Sequence, residues 1–556
     1  MLRSLTVLFL ACLMAACGGR SAAPVEVSGG WIEGLVEDGL VIYRNVPYAA
    51  PPVADLRWRA PQPVEPWEGV RATTQSGPAC WQNTTGGEAM FIERLTQGAG
   101  MSGFATWLLT TAASWQPPEV SEDCLSLNVM APEGGSNLPV MFWIHGGGHQ
   151  FGSGGQVYES SSLVREGIVL VSINYRLGLY GFMAHPELSA EHAHGSSGNY
   201  GMMDQVAALE WVQANIEKFG GDPNNVTIFG ESAGGNSVGQ LLASPLSKGL
   251  IHRAIAQSGT GIHQFQAVDA AYERTSGYDV GRRIAAAAGV SGELEIKALR
   301  SMTTEQLRPY AIDPAFVDTF HPQIDGYVLP RSTAQTFFEG KQLPVPLIVG
   351  SNADEGSVLY YFGLPAVEGG PLVQPQNQVE WDQLLASQFA DQAAVVDAFY
   401  AVDGDKDVPK AAEHLMGDAL FGRHAFYMAQ RHQAAGAPAY LYFYERRPPS
   451  ETQTLGATHG LEISHVFGRF IPMMPKDERD DELQTQMQGY WAQFARTGSP
   501  NRDDLPKWVA FDDLEAQEMA FGHERSYARR SVRENRYRAM AGQLESRLAA
   551  ATIGDN

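Results

Sequence analysis

Two hydrophobic patterns alternate along this chain. Unbroken apolar runs mark buried strands: Leu138 to His145, centred on Val140, Met141, Phe142, Trp143 and Ile144, and Ile168 to Asn174. Val226 to Phe229, Arg253 to Gln257, Leu347 to Gly350 and Ala439 to Tyr444 supply further strands. From Asp204 to Phe219 the period lengthens, and Val206, Leu209, Val212 and Ile216 share one face of a helix. Gly34 to Ala49 alternates apolar and polar residues between turn glycines, the pattern of a β-meander. Residues 266–340 and 366–437 read as helical insertions above the sheet. Strands that alternate with helices predict an α/β fold, a mostly parallel central sheet covered on both faces.

The chain has 556 residues and is 44% hydrophobic, ample for a large core. Its formal charge of -23 repels phosphate backbones and argues against nucleic acid as a partner. Residues 1–17 stand apart. Arg3 gives a positive start, and Leu5 to Met14 form an apolar run too short to span a bilayer. Met14-Ala15-Ala16-Cys17 then resembles a bacterial lipobox, with Cys17 lipidated; the alternative is an ordinary cleavable signal with an incidental cysteine. The lipobox reading predicts export to the periplasm or cell envelope and membrane attachment through Cys17. Residues 18–25 are then a flexible tether, 26–540 one domain and 541–556 a tail. Only Cys80 and Cys124 remain beyond the leader, which in an exported chain suggests one disulfide, against two separate buried thiols. No Cys-x-x-Cys or His-Glu-x-x-His is present, so no metal is expected. Nothing in the sequence sets an oligomeric state.

The candidate chemistry centres on Gly230-Glu231-Ser232-Ala233-Gly234. It follows an apolar strand and precedes small residues able to open a helix, which places Ser232 on a sharp turn with its hydroxyl exposed. A glycine-rich turn that merely contains serine is the alternative. A serine hydroxyl needs a base, an acid to orient that base, and donors for the developing oxyanion. The donors are suggested by His145-Gly146-Gly147-Gly148, a second glycine turn directly after a strand. The N–H groups of Gly147, Gly148 and Ala233 match the oxyanion hole of α/β-hydrolases.

With these motifs the chain resembles the type-B carboxylesterase family, which includes cholinesterases and bacterial para-nitrobenzyl esterases. The likeness runs from about residue 25 to 515. It is carried by Phe219 to Gly235, by Glu122 to Asn128, by Asn174-Tyr175-Arg176 and by Gly198 to Gln205. The resemblance implies an α/β-hydrolase fold with helical insertions and no cofactor. Among fourteen histidines it selects His459, in Thr458-His459-Gly460-Leu461-Glu462, as the base. Position after a strand fits both Asp354 and Glu355 as the orienting acid; the family motif Asn-x-Asp-Glu-Gly, here Asn352 to Gly356, assigns Glu355. Glu231 matches a glutamate that adds negative field near the histidine, and Ser258 a serine behind the site; packing is the alternative for each. Cys80 and Cys124 match the cysteines that close the family's first long loop. That loop, with Phe91, Met101, Phe104 and Trp107, is either a lid over apolar substrate or a segment packed on the body. Trp115 falls near the choline-binding tryptophan of cholinesterases, while Val358 and Leu359 replace aromatics found after the acid, which weakens any cation–π site.

The expected function is therefore an exported serine hydrolase that cleaves small-molecule carboxylic esters through an acyl-serine. The alternatives are a cholinesterase-like binding protein without catalysis, and amide or carbamate hydrolysis by the same residues. The rate should fall below about pH 6 to 7 as the histidine protonates.

Overall fold

A computed structural model of the chain describes residues 19–83, 87–107, 119–263, 266–270, 275–292, 294–360 and 374–554. Cys17 and Trp115 lie outside them.

Twelve strands form one large sheet. In chain order they are β1 (Arg20–Ser21), β2 (Leu35–Glu37), β3 (Leu40–Pro47), β4 (Ser126–Pro132), β5 (Leu138–Ile144) and β6 (Val169–Ile173). Then come β7 (Gly221–Glu231), β8 (Arg253–Gln257), β9 (Leu347–Asn352), β10 (Ala439–Tyr444), β11 (Gln517–Phe521) and β12 (Ser526–Arg530). Their spatial order is β1-β2-β3-β4-β6-β5-β7-β8-β9-β10-β11-β12. The run from β6 to β11 is parallel, and antiparallel strands flank it on both sides. The mostly parallel sheet is what the alternating pattern predicted, and its order is the α/β-hydrolase architecture that the family resemblance implied.

The apolar runs are unbroken because both faces of the sheet are covered. Val140, Phe142 and Ile144 of β5 enter one apolar layer with Val226 and Ile228 of β7. Met141 and Trp143 enter the opposite layer with Phe229, Ile255 and Ile348. Side chains of a strand alternate between faces, so a strand wholly inside must be apolar at every position.

Five helices bear on the site: α1 (Tyr200–Asn215), α2 (Ala233–Ala243), α3 (Val408–Gly417), α4 (Arg423–Ala434) and α5 (Glu534–Gly554). Val206, Leu209 and Val212, read as one helical face, are buried in α1, which begins four residues earlier than the spacing suggested. Between α3 and α4 the helix does not stop; it widens into a single π turn, Asp418–Gly422.

Two boundaries differ from expectation. Arg20 and Ser21, assigned to a flexible tether, pair with Val36 and Leu35 at the sheet edge. Edge pairing uses only backbone N–H and C=O groups, so no side-chain pattern announces it. Residues 541–554, assigned to a tail, continue α5, and Leu544 and Leu548 are buried in the main core. Among the described residues, no helix is long and apolar enough to cross a membrane.

Candidate active site

The parallel strands deliver the candidate residues to one edge, because each follows the carboxyl end of its strand, where open α/β sheets hold their ligands. Ser232 follows β7 directly. Its backbone has φ 57 and ψ −122, and α2 begins at the next residue. That φ is rare for a non-glycine residue and costs roughly 1–3 kcal/mol. The turn is held because Ser232 N–H donates to the Gln257 carbonyl at 2.9 Å. Gly234 lets α2 come this close: a Cβ there would lie 2.0 Å from the Ile144 carbonyl oxygen of β5. Ser232 is half-buried, while Glu231 and Ala233 on either side are buried.

Glu355 lies just past β9 and is 1% exposed. One carboxylate oxygen accepts the Asn352 N–H at 2.7 Å, and the other lies 2.6 Å from His459 Nδ1. Asp354, the rival acid, turns away. Its carboxylate accepts the Ala457 N–H at 2.8 Å, and its side chain is 27% exposed. Of the two carboxylates that residue type could not separate, Glu355 is the one against the imidazole. With Nδ1 held by Glu355, His459 Nε2 faces the serine turn, 3.1 Å from Glu231 Oε1. That contact lacks the direction of a hydrogen bond. The Glu231 carboxylate and Ser232 Cβ lie side by side, and both would crowd a Cβ at Gly146, at 2.9 and 3.2 Å.

The second glycine turn follows β5. Gly147 has φ 100, and a Cβ there would meet the Phe151 carbonyl oxygen at 2.1 Å, so only glycine fits. Among the described residues, the N–H groups of Gly147 and Gly148 have no backbone acceptor. Ala233 opens α2, where the first N–H groups have no partner within the helix. His145, at the head of the turn, is structural: its ring stacks on Tyr175 at 4.5 Å and burial pulls it down to about 4.

This geometry agrees with what the chain is similar to. The model of the carboxylesterase family matches residues 21–540. The chain belongs to the carboxylesterase family. A fumonisin B1 esterase of Sphingopyxis macrogoltabida is 35% identical over 90% of this chain and 86% of its own. A liver carboxylesterase of Sus scrofa is 35% identical over 87% and 85%. Among solved structures, a PNB esterase superposes with TM-score 0.76 at 29% identity, covering 93% of this chain and 99% of that one. A carboxylesterase of Geobacillus stearothermophilus gives 0.74 at 28%, covering 93% and 100%. The protein is a carboxylic ester hydrolase, and its substrates are small-molecule esters.

The electrostatics of the esterase site were only half visible in sequence. Three buried carboxylates surround one imidazole. Burial pushes Glu231 up to about 8, with Glu462 and Glu355 adding to it and His459 opposing. Burial alone would lower His459, but Glu231 and Glu355 outweigh it and hold the ring up at about 9. Glu462 closes the histidine motif, which assigns it no role. It is fully buried, accepts from Asn352 Nδ2 at 2.6 Å and Gln257 Nε2 at 3.2 Å, and burial raises it. Its signal was a carboxylate three residues after the histidine.

Phe421 was missed altogether. Its ring lies 4.7 Å from that of His459, presented by the π turn between α3 and α4. Such turns within helices often mark functional sites. Asp418 anchors the turn: its buried carboxylate takes Arg533 and Arg536, each at 2.6 Å, and the Tyr400 hydroxyl at 2.9 Å. Arg533 also donates to the Ala353 carbonyl beside the acid, at 2.8 Å.

The remaining candidates are spread out. Ser258 is fully buried at φ 45, and its N–H donates to the Gly350 carbonyl at 3.0 Å, tying β8 to β9. Val358 is fully buried in the same apolar cluster as Leu95, Met101 and Leu461, so it faces core rather than an opening. Leu359 is half-buried against that cluster. Cys80 and Cys124 form the disulfide. The loop it closes both packs and projects. Leu95 and Met101 are buried and Gly98 accepts the Thr454 N–H at 2.8 Å, while Phe104 and Trp107 are 70% and 54% exposed.

One described group, His185, Glu187 and Glu295, brings its ligand atoms within reach of an ion. However, His185 Nδ1 accepts the Glu187 N–H at 3.2 Å, which leaves the proton on Nε2, 2.9 Å from Glu295. The ring nitrogens are thereby both used, and the group reads as a polar clasp between two helices.

Proposed function

We propose that Ser232 is the nucleophile, His459 the base and Glu355 the acid that orients it. The observation that carries this reading is the 2.6 Å contact between Glu355 and His459 Nδ1, beside a serine turn of strained backbone. Ser232 Oγ attacks the ester carbonyl and gives its proton to His459 Nε2. The imidazolium forms between Glu355 and Glu231. The N–H groups of Gly147, Gly148 and Ala233 take the oxyanion, the alcohol leaves with the proton, and His459 activates water to release the acid from the acyl-serine. Apo geometry often leaves the nucleophile–base contact long until substrate arrives.

The test is Ser232→Ala, with labelling by a fluorophosphonate. We expect one label per chain at Ser232, and for the variant no label, esterase activity down by about 10,000-fold or more, and an unchanged melting temperature. Retained hydrolysis by the variant would end the assignment. Carbamates and amides offer the same carbonyl to the same residues and belong in the substrate panel, as does fumonisin B1, given the relative of that name. Export and lipidation at Cys17 are also proposed, supported by the leader pattern of residues 1–17. Lipid labelling that persists in Cys17→Ala would refute the anchor.

A further inference from the structure

The oxyanion donors proposed above come from two segments distant in the chain: the turn after β5 and the start of α2. One side chain bridges them. His149 follows Gly148 directly, and its ring Nε2 lies 3.0 Å from Ser237 Oγ, one turn into α2. Gln205 Nε2 of α1 donates to the same hydroxyl at 3.1 Å, so the junction joins three elements. The imidazole also lies against the Ala233 carbonyl. Phe182 meets the ring edge-on at 5.3 Å, and the His149 carbonyl accepts the Gly178 N–H at 2.8 Å.

Two features set this histidine apart from a filler. It is 1% exposed and takes φ 58, a conformation that glycine adopts freely and a histidine rarely. Strain of this kind persists only where the surroundings fix it, and it gathers at functional sites. Burial pulls the ring down to about 3, so at neutral pH its contact is a hydrogen bond rather than a charge.

We propose that His149 is a positioning residue, which through Ser237 sets the Gly147 and Gly148 donors at a fixed distance from the Ala233 donor. This rests on the reading of those three N–H groups as the oxyanion hole. An oxyanion donor acts only when aimed at the charge that develops, and removing one costs ~100- to 1,000-fold in a known hydrolase. Loosening the pair should therefore cost less than deleting a donor, and should cost it in the transition state alone.

The experiment uses His149→Phe, which keeps a ring of similar size, and Ser237→Ala, which removes a single oxygen. Active enzyme is counted by fluorophosphonate labelling, so misfolded chains drop out. The expected result for each is kcat per labelled site lowered by about 10- to 100-fold, KM within about twofold, and affinity for a trifluoromethyl ketone lowered in parallel with kcat/KM. The double variant should be no worse than the poorer single one, because both break the same contact. Unchanged kcat per labelled site in Ser237→Ala, or in a folded His149→Phe, overturns the proposal. A parallel fall in KM and kcat with no change in ketone affinity overturns it as well. Wild-type label on a residue other than Ser232 would instead overturn the reading beneath it.

Discussion

The edge of the sheet that carries Ser232, Glu355 and His459 and the loop closed by Cys80–Cys124 are neighbours of opposite character. At the edge, Glu355 uses both carboxylate oxygens, and Gly146, Gly147 and Gly234 leave no room for a Cβ. In the loop, two large aromatic side chains, Phe104 and Trp107, stand in solvent with their rings 5.9 Å apart. The first region is determined by contacts, whereas the described part of the second combines a covalent closure and packed residues with rings left in solvent. Bond-making chemistry needs groups fixed to within about half an ångström, whereas recognition of apolar esters tolerates a looser wall.

Substitutions can break that contrast at several depths. Glu355→Gln should lower kcat by about 10,000-fold, as loss of the orienting carboxylate does in a serine protease. Asp354→Asn should cost less than about tenfold, since it perturbs the bond to the Ala457 N–H and the contact with His414, neither of which touches the imidazole of His459. Steady-state kinetics on one short ester compares the two, and equal losses would erase the distinction between these adjacent acids. In the loop, Cys80→Ser with Cys124→Ser should cost about 4 kcal/mol of stability by closure entropy of a 44-residue separation. Denaturant unfolding reads that loss, and kcat per labelled site should stay close to wild type.

The pH profile probes the edge more gently. As the proposed base, His459 must be neutral at Nε2 to accept a proton, and its neighbours hold the charged form up to about 9. The base form is therefore the minor one at neutral pH, and kcat/KM should climb with pH through about 9. The field of these carboxylates thus predicts a limb above the pH 6 to 7 expected from an ordinary histidine. Glu231→Gln removes one carboxylate beside the ring and should bring the limb down. A limb unmoved in that variant would mean Glu231 exerts no field on the base. The smallest effect belongs to Trp107→Ser. Stability should change by less than about 0.5 kcal/mol, kcat should hold, and KM for long-chain esters should rise if the exposed ring touches substrate. A KM unchanged across chain lengths would remove Trp107 from the substrate path.

The sequence revealed what local chemistry writes and concealed what packing decides. Ser232 and Gly146 to Gly148 were legible because a tight turn demands small residues in a row, next to a strand that periodicity reveals. Glu355 was not separable from Asp354 by its own chemistry, because neighbours on a turn point apart and only the backbone path says which faces the imidazole. Phe421 and His149 gave no signal: one arrives through a π turn and the other through a bond to a hydroxyl 88 residues away. The pairing of Arg20 and Ser21 was hidden because ladder bonds belong to backbone atoms. The buried Leu544 and Leu548, four apart, were a helical signal within a stretch assigned to the tail.

The Asp418 cluster bears on the order in which the molecule can be finished. Its two guanidinium partners lie 115 and 118 residues further along the chain. During synthesis Asp418 therefore exists for a long interval with no cation to meet. Burying a lone carboxylate costs several kcal/mol, so the π turn is not expected to settle until Arg533 and Arg536 are made. Phe421, and with it one wall of the histidine, waits on the same event. A nascent chain already holding Ser232 and His459 would remain an incomplete esterase until α5 docks.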